Sequence, residues 1–132
     1  MDSLGLERQS TDGGSLHAYC DGTTIRLLVA DYYGETVDGT LRFYFDHDSL
    51  FFVFVETRRG HPNGKDAYPK RTMIERERFY FTSDRLIRWL GPKNKPQSVS
   101  TSAAKQQEDE LLADARRLRA TMPACQPKYA PE

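Results

Sequence analysis

Cysteine is scarce in this chain of 132 residues: there are two, Cys20 and Cys125. Two so far apart cannot make a disulfide scaffold or a zinc knuckle, which leaves free thiols or one bridge tying the tail to the region of Cys20 in an exported protein. Net charge is missing as well. The 19 basic side chains are balanced by 19 acidic ones, so no overall field draws the protein to nucleic acid or to an anionic membrane. No apolar run reaches the ~20 residues that a membrane-spanning helix needs. No signal peptide opens the sequence, because Met1 is followed by Asp2-Ser3-Leu4-Gly5-Leu6-Glu7. There is no Gly-x-Ser-x-Gly elbow and no phosphate-cradling glycine loop. The three histidines, His17, His47 and His61, lack an i, i+4 partner and a Glu at zincin spacing. With no nucleophile–base pair and no metal set, catalysis has no anchor here, and neither an enzyme nor a cofactor is expected.

What the chain does have is one short pattern written three times. Ala18-Tyr19-Cys20-Asp21-Gly22-Thr23-Thr24-Ile25, Phe43-Tyr44-Phe45-Asp46-His47-Asp48-Ser49-Leu50 and Phe79-Tyr80-Phe81-Thr82-Ser83-Asp84-Arg85-Leu86 each join a strand with a central Tyr to a polar turn and a returning Ile or Leu. Three hairpins are predicted, at about 15–31, 38–57 and 73–90, from their β-branched and aromatic content, alternation and turn residues. The central tyrosines, at 19, 44 and 80, are unevenly spaced, which argues against a solenoid. Asp46-His47-Asp48 reads as a turn rather than a metal cluster, since Asp tolerates the left-handed conformation and bonds the local backbone. Residues 1–14 read as an N-terminal arm, and 58–71, with Gly60, Pro62 and Gly64, as a long exposed loop. After Gly91-Pro92 a polar linker leads to one helix over 103–121, capped by Thr101 or Ser102 and ended by Pro123. Ala104, Leu111, Ala115, Leu118 and Met122 share one side of it. Residues 122–132 read as a flexible tail. The fold class is α+β, one domain: an antiparallel meander of about six strands packed by a C-terminal helix.

Simple alternation through four-residue turns divides the sheet into two faces. One is a core face: Leu16, Ala18, Cys20, Ile25, Leu27, Val29, Leu41, Phe43, Phe45, Leu50, Phe52, Phe54, Phe79, Phe81, Leu86 and Leu90, with Arg88 the one intruder. Phe45 and Phe52 should be fully buried. The other face carries His17, Tyr19, Arg26, Leu28, Arg42, Tyr44, Phe51, Val53, Arg78, Tyr80, Ile87 and Trp89. A solvated face would show Thr, Ser, Lys and Glu. Tyr and Arg among large apolar groups are instead the composition of an interface. The candidate contact residues are Arg42, Tyr44, Arg78, Tyr80 and Trp89, with Tyr19 and Arg26 at the margin and Arg78 stacked on Trp89. Glu75-Arg76-Glu77-Arg78 suits cross-strand ion pairing. Arginine–aromatic interleaving also occurs on RNA-binding sheets, but the zero net charge and the hairpin order speak against nucleic acid.

The segments Phe43–Phe54 and Arg78–Leu90, with Ala30-Asp31-Tyr32-Tyr33-Gly34-Glu35 and the charged C-terminal helix, resemble small exported bacterial proteins of unassigned function built from aromatic hairpins. More loosely, they are similar to MORN-like hairpin repeats, which keep a stricter glycine and a regular period. The resemblance spans about 15–120. It implies a periplasmic or cell-envelope location, the signal sequence not being part of this chain, and an interaction role with a protein partner or a second copy. It brings no catalytic residues. The alternative expectation is a small-molecule or lipid carrier with a pocket between sheet and helix.

Overall fold

The computed structural model describes residues 14–34, 37–59, 73–122 and 125. The expected arm at 1–14 except Gly14, most of the loop at 58–71 and nearly all of the tail at 122–132 lie outside them. The described chain forms one antiparallel sheet whose seven strands are neighbours in chain order: β1 Gly14–Asp21, β2 Thr24–Tyr32, β3 Val37–Asp46, β4 Ser49–Arg59, β5 Met73–Thr82, β6 Arg85–Leu90 and β7 Pro96–Gln97. One α-helix follows, α1, at Ser102–Thr121. The α+β meander expected from the three hairpins is therefore the architecture of the protein.

Each hairpin turns tightly at the repeated motif. His47 and Asp48 (φ 51° and 67°) and Ser83 and Asp84 (φ 49° and 63°) all have positive φ, and Gly22 supplies φ 67° in the first hairpin. Two central residues in the left-handed region match the twist of antiparallel strands. The short polar residues in these turns tolerate that region, and Asp46-His47-Asp48 acts there as turn chemistry.

The return strands differ from simple alternation. The pairs Cys20↔Ile25, Phe45↔Leu50 and Phe81↔Leu86 form as expected, but the register then shifts by one residue in every hairpin, between Tyr19 and Cys20, Tyr44 and Phe45, and Tyr80 and Phe81. Arg26, Phe51 and Ile87 are the extra residues of three β-bulges, and every later residue on β2, β4 and β6 changes sides. Leu28 and Val53 (both 0% exposed) therefore belong to the core. Leu27, Val29, Phe52, Phe54 and Leu90 belong to the opposite face, and Phe52 is half-buried rather than fully buried. Arg88, the intruder under simple alternation, leaves the core face with them.

The core joins Leu28, Ala30, Phe43, Phe45, Leu50, Val53, Phe79, Phe81 and Leu86 of the sheet to Ala104, Leu111, Ala115 and Leu118 of α1, with Met122 packed at its border. These helix positions are the predicted stripe. Thr101 Oγ1 accepts from the Ala104 amide at 3.1 Å, which caps the first turn. Arg119 in the last turn suits the negative end of the helix dipole. Polar contacts pin α1 at both ends. Near its start, the Leu86 amide donates to Glu108 Oε2 at 2.8 Å, and this bond holds the Glu108 carboxyl below its usual range. Near its end, the Arg119 guanidinium lies 4.8 Å over the Phe45 ring and donates to Asp48 Oδ1 at 3.0 Å. Cys20 and Cys125 form a disulfide, with their Cα atoms 6.0 Å apart, that joins the chain beyond α1 to β1. No helix among the described residues is long and apolar enough to cross a membrane.

Candidate functional site

The sheet face away from α1 is laid out in cross-strand rows that follow from the bulged register. The first row runs Tyr19, Leu27, Tyr44, Phe52, Tyr80, Arg88, and the second His17, Val29, Arg42, Phe54, Arg78, Leu90. A third runs Ser15, Asp31, Thr40, Glu56, Arg76. Of the sequence-predicted contact residues, Arg42, Tyr44, Arg78, Tyr80 and Tyr19 come together here, and Arg26 sits beside them at its bulge. Trp89 does not. It pairs with Phe79, stacks on that buried ring at 5.5 Å between centroids, and donates its indole N–H to Glu77 Oε2 at 3.1 Å on the helix side. The bulge at Tyr80/Phe81 turns it there, so the expected Arg78–Trp89 stack does not form.

The third row is chemically closed. Glu56 accepts from Arg58 Nη1 at 2.9 Å and from Arg76 Nε at 3.0 Å, while Arg58 Nε donates to Asp38 at 2.9 Å. Thr40 donates to Asp31 at 2.6 Å. Burial disfavours the Glu56 carboxylate, yet the hydrogen bonds and charges of Arg58 and Arg76 outweigh it, and its pKa lies below the ordinary 4.5. Arg58 is also desolvated, but its hydrogen bonds and charge contacts with Glu56 and Asp38 outweigh this and raise its pKa above the ordinary arginine value. With Glu56 and Asp38 paired to Arg58 and Arg76, and Asp31 bonded to the hydroxyls of Ser15 and Thr40, this end of the face has little left to offer a ligand.

The first two rows are open. Phe52 lies 5.5 Å from Tyr44 and 4.9 Å from Tyr80, centroid to centroid, as one tilted aromatic run. Arg42 and Arg78 flank Phe54 from the two neighbouring strands, at 5.8 and 5.1 Å from its ring, and Arg88 lies 5.4 Å over Tyr80. Arg78 donates to the neutral Asn94 at 2.8 Å. Among the described residues none of these three guanidiniums pairs with a carboxylate. A cation over a ring face is attracted by the ring's quadrupole, which orients it without neutralising its charge. At the turn end the bulges expose Phe51 (44%) and Ile87 (56%), with Tyr19 (56%) on the same side. Phe52, Phe54 and Arg88 are the site residues that alternation placed on the wrong face. An arginine in an otherwise apolar core pattern was the signal in the sequence for the slip.

One gap between sheet and helix, about 530 Å³, opens at the start of α1 beside Asp84, Arg85, Ser100, Thr101, Lys105 and Glu108. Two others are small. One of about 140 Å³ is lined by Phe45, Leu50, Leu112 and Ala115, and one of about 40 Å³ by Ala30, Phe43, Asp114 and Leu118. Burial pushes the Asp114 carboxyl up, and its ion pair with Arg117 only partly reverses this. No protein-family model, curated protein or solved structure matches the chain.

Proposed function

We propose that this is a non-catalytic binding or scaffolding protein of the bacterial cell envelope, which engages a protein partner through the face opposite α1. The observation that carries this reading is the pair of open rows, where three guanidiniums without a carboxylate partner among the described residues lie on aromatic rings beside the exposed Phe51 and Ile87. Arg and aromatic groups are the residue types that dominate binding energy at protein interfaces. The Cys20–Cys125 disulfide supports an oxidising compartment, and the resemblance to exported hairpin proteins points the same way. A carrier reading has less support, because ligand pockets are lined mostly by apolar groups and usually run to about 300–1,000 Å³. The gap of about 530 Å³ at the start of α1 is bordered mainly by polar and charged side chains, Asp84, Arg85, Ser100, Thr101, Lys105 and Glu108, and the apolar gaps under α1 are far smaller than that range.

Photo-crosslinking in cells tests the proposal. A benzophenone amino acid replaces Phe51 on the open face or Gln106 on the exposed side of α1. A discrete adduct from position 51 and not from 106, lost on Arg42→Glu with Arg78→Glu, is the expected result. Equal crosslinking from both positions, or adducts indifferent to the arginine changes, refutes it.

A further inference from the structure

We infer that the partner element is an acidic amphipathic helix lying along the rows, across strands β3 to β6; this rests on the proposed binding role of the open face. The argument starts from the spacing of charge. Arg42 on β3 and Arg78 on β5 occupy the same row with one strand between them. Neighbouring strands are 4.7–4.9 Å apart, so the two positions are separated by about 9.5 Å. Two carboxylates seven residues apart on an α-helix rise about 10.5 Å along its axis, a close match. In an extended peptide, side chains two apart on one side are separated by about 6.8 Å and those four apart by about 13.6 Å, and neither fits the pair.

The perpendicular direction agrees. Rows on one face of a strand are separated by two residues, about 6.7 Å, which a helix about 10 Å wide covers together. Such a helix places an apolar stripe over Tyr44, Phe52 and Tyr80, with Phe51 and Ile87 at its border. Its acids then fall over Arg42 and Arg78. The guanidiniums are already held on Phe54, so pairing immobilises little that is free. The closed third row sets the limit of the footprint. Glu56 and Asp38 are taken up by Arg58 and Arg76 and neither compete for Arg42 and Arg78 nor attract a basic partner. The second apolar face of the sheet is then buried against a packing element, as an apolar face requires.

The probe is a labelled 18-residue synthetic peptide with a leucine stripe and Glu at two positions seven apart. Two control peptides carry Lys at those positions, or the Glu pair moved to four apart. Fluorescence anisotropy against the full chain should show the first peptide binding at least tenfold tighter than either control. Arg42→Ala with Arg78→Ala should weaken it about tenfold, Arg116→Ala should leave it unchanged, and the variants must keep the parental melting temperature. Equal affinity for the Lys peptide, or binding indifferent to the arginine pair, overturns the proposal. Loss of binding on Phe51→Ser with none on the arginine changes overturns the acidic helix while leaving the face as a binding surface. A single-stranded oligonucleotide that outcompetes the peptide, or a homodimer that dissociates on Arg42→Ala with Arg78→Ala, names a different occupant and also overturns it. Absence of binding by all three peptides refutes the helix as well, and the position-51 crosslinking then decides separately whether the face binds at all.

Discussion

Phe52 and Val53 are adjacent, both apolar, and separated in their fates by one bulge. Placing an aspartate at each in turn tests the bulged register directly. Val53 is 0% exposed beneath α1. Val53→Asp forfeits about 1.5–3 kcal/mol of side-chain burial and leaves a charge without a partner, which adds about 3–5 kcal/mol. The total, about 5–8 kcal/mol, approaches or exceeds the whole stability of a typical domain. Phe52→Asp removes a half-buried ring from between Tyr44 and Tyr80. It forfeits about half of a 3–5 kcal/mol aromatic deletion. The new carboxylate stands in the row of Arg88 and beside that of Arg42 and Arg78, where its charge is compensated. A loss near 2 kcal/mol is expected, and the variant should fold. Urea denaturation followed by far-ultraviolet circular dichroism separates the two, with Phe52→Asp giving a cooperative transition at lower midpoint and Val53→Asp giving none. The opposite ranking would mean that simple alternation holds and that the rows of the open face are wrongly assembled.

Reduction of Cys20–Cys125, or Cys20→Ser with Cys125→Ser, should cost about 2–5 kcal/mol, because the bridge spans a sequence separation of 105 and loops of that length lose the most closure entropy; a urea midpoint equal with and without reductant would contradict this. Glu56 has a lowered pKa in the folded state, so its contribution is present above about pH 4.5 and is lost as the pH falls through the folded value. Glu56→Gln should therefore cost about 1–2 kcal/mol at pH 7 and much less at pH 3, and a pH-independent difference in denaturation midpoint would rule out the ion-pair explanation. Ser83→Asn with Asp84→Gly installs the residues best suited to two positive φ angles and should stabilise by about 0.5–2 kcal/mol; a lower melting temperature in scanning calorimetry would show that the turn is not of this type.

Much of the architecture can be read locally. Turn residues at 22–23, 47–48 and 83–84 and the alternating runs beside them set out the hairpins, read at about 15–31, 38–57 and 73–90 and formed at 14–32, 37–59 and 73–90. The stripe of Ala104, Leu111, Ala115 and Leu118 with the Thr101 cap sets out the helix. These features depend on residues a few positions apart, whose conformational preferences act before any tertiary contact forms. The outgoing strands were assigned correctly for the same reason, so Arg42, Tyr44, Arg78 and Tyr80 of the candidate site were legible. The return strands were not. Leu27-Leu28-Val29-Ala30 and Leu50-Phe51-Phe52-Val53-Phe54-Val55 are apolar at every position, so pattern alone assigns them to neither face, and a bulge of one residue decides the matter. Only the packed sheet, with α1 against one side, selects Leu28, Val53 and Trp89 for the core and leaves Phe52, Phe54 and Arg88 outside. The two-residue strand β7 and the Cys20–Cys125 bridge belong to the same class, since each exists only because distant parts of the chain have already been brought together.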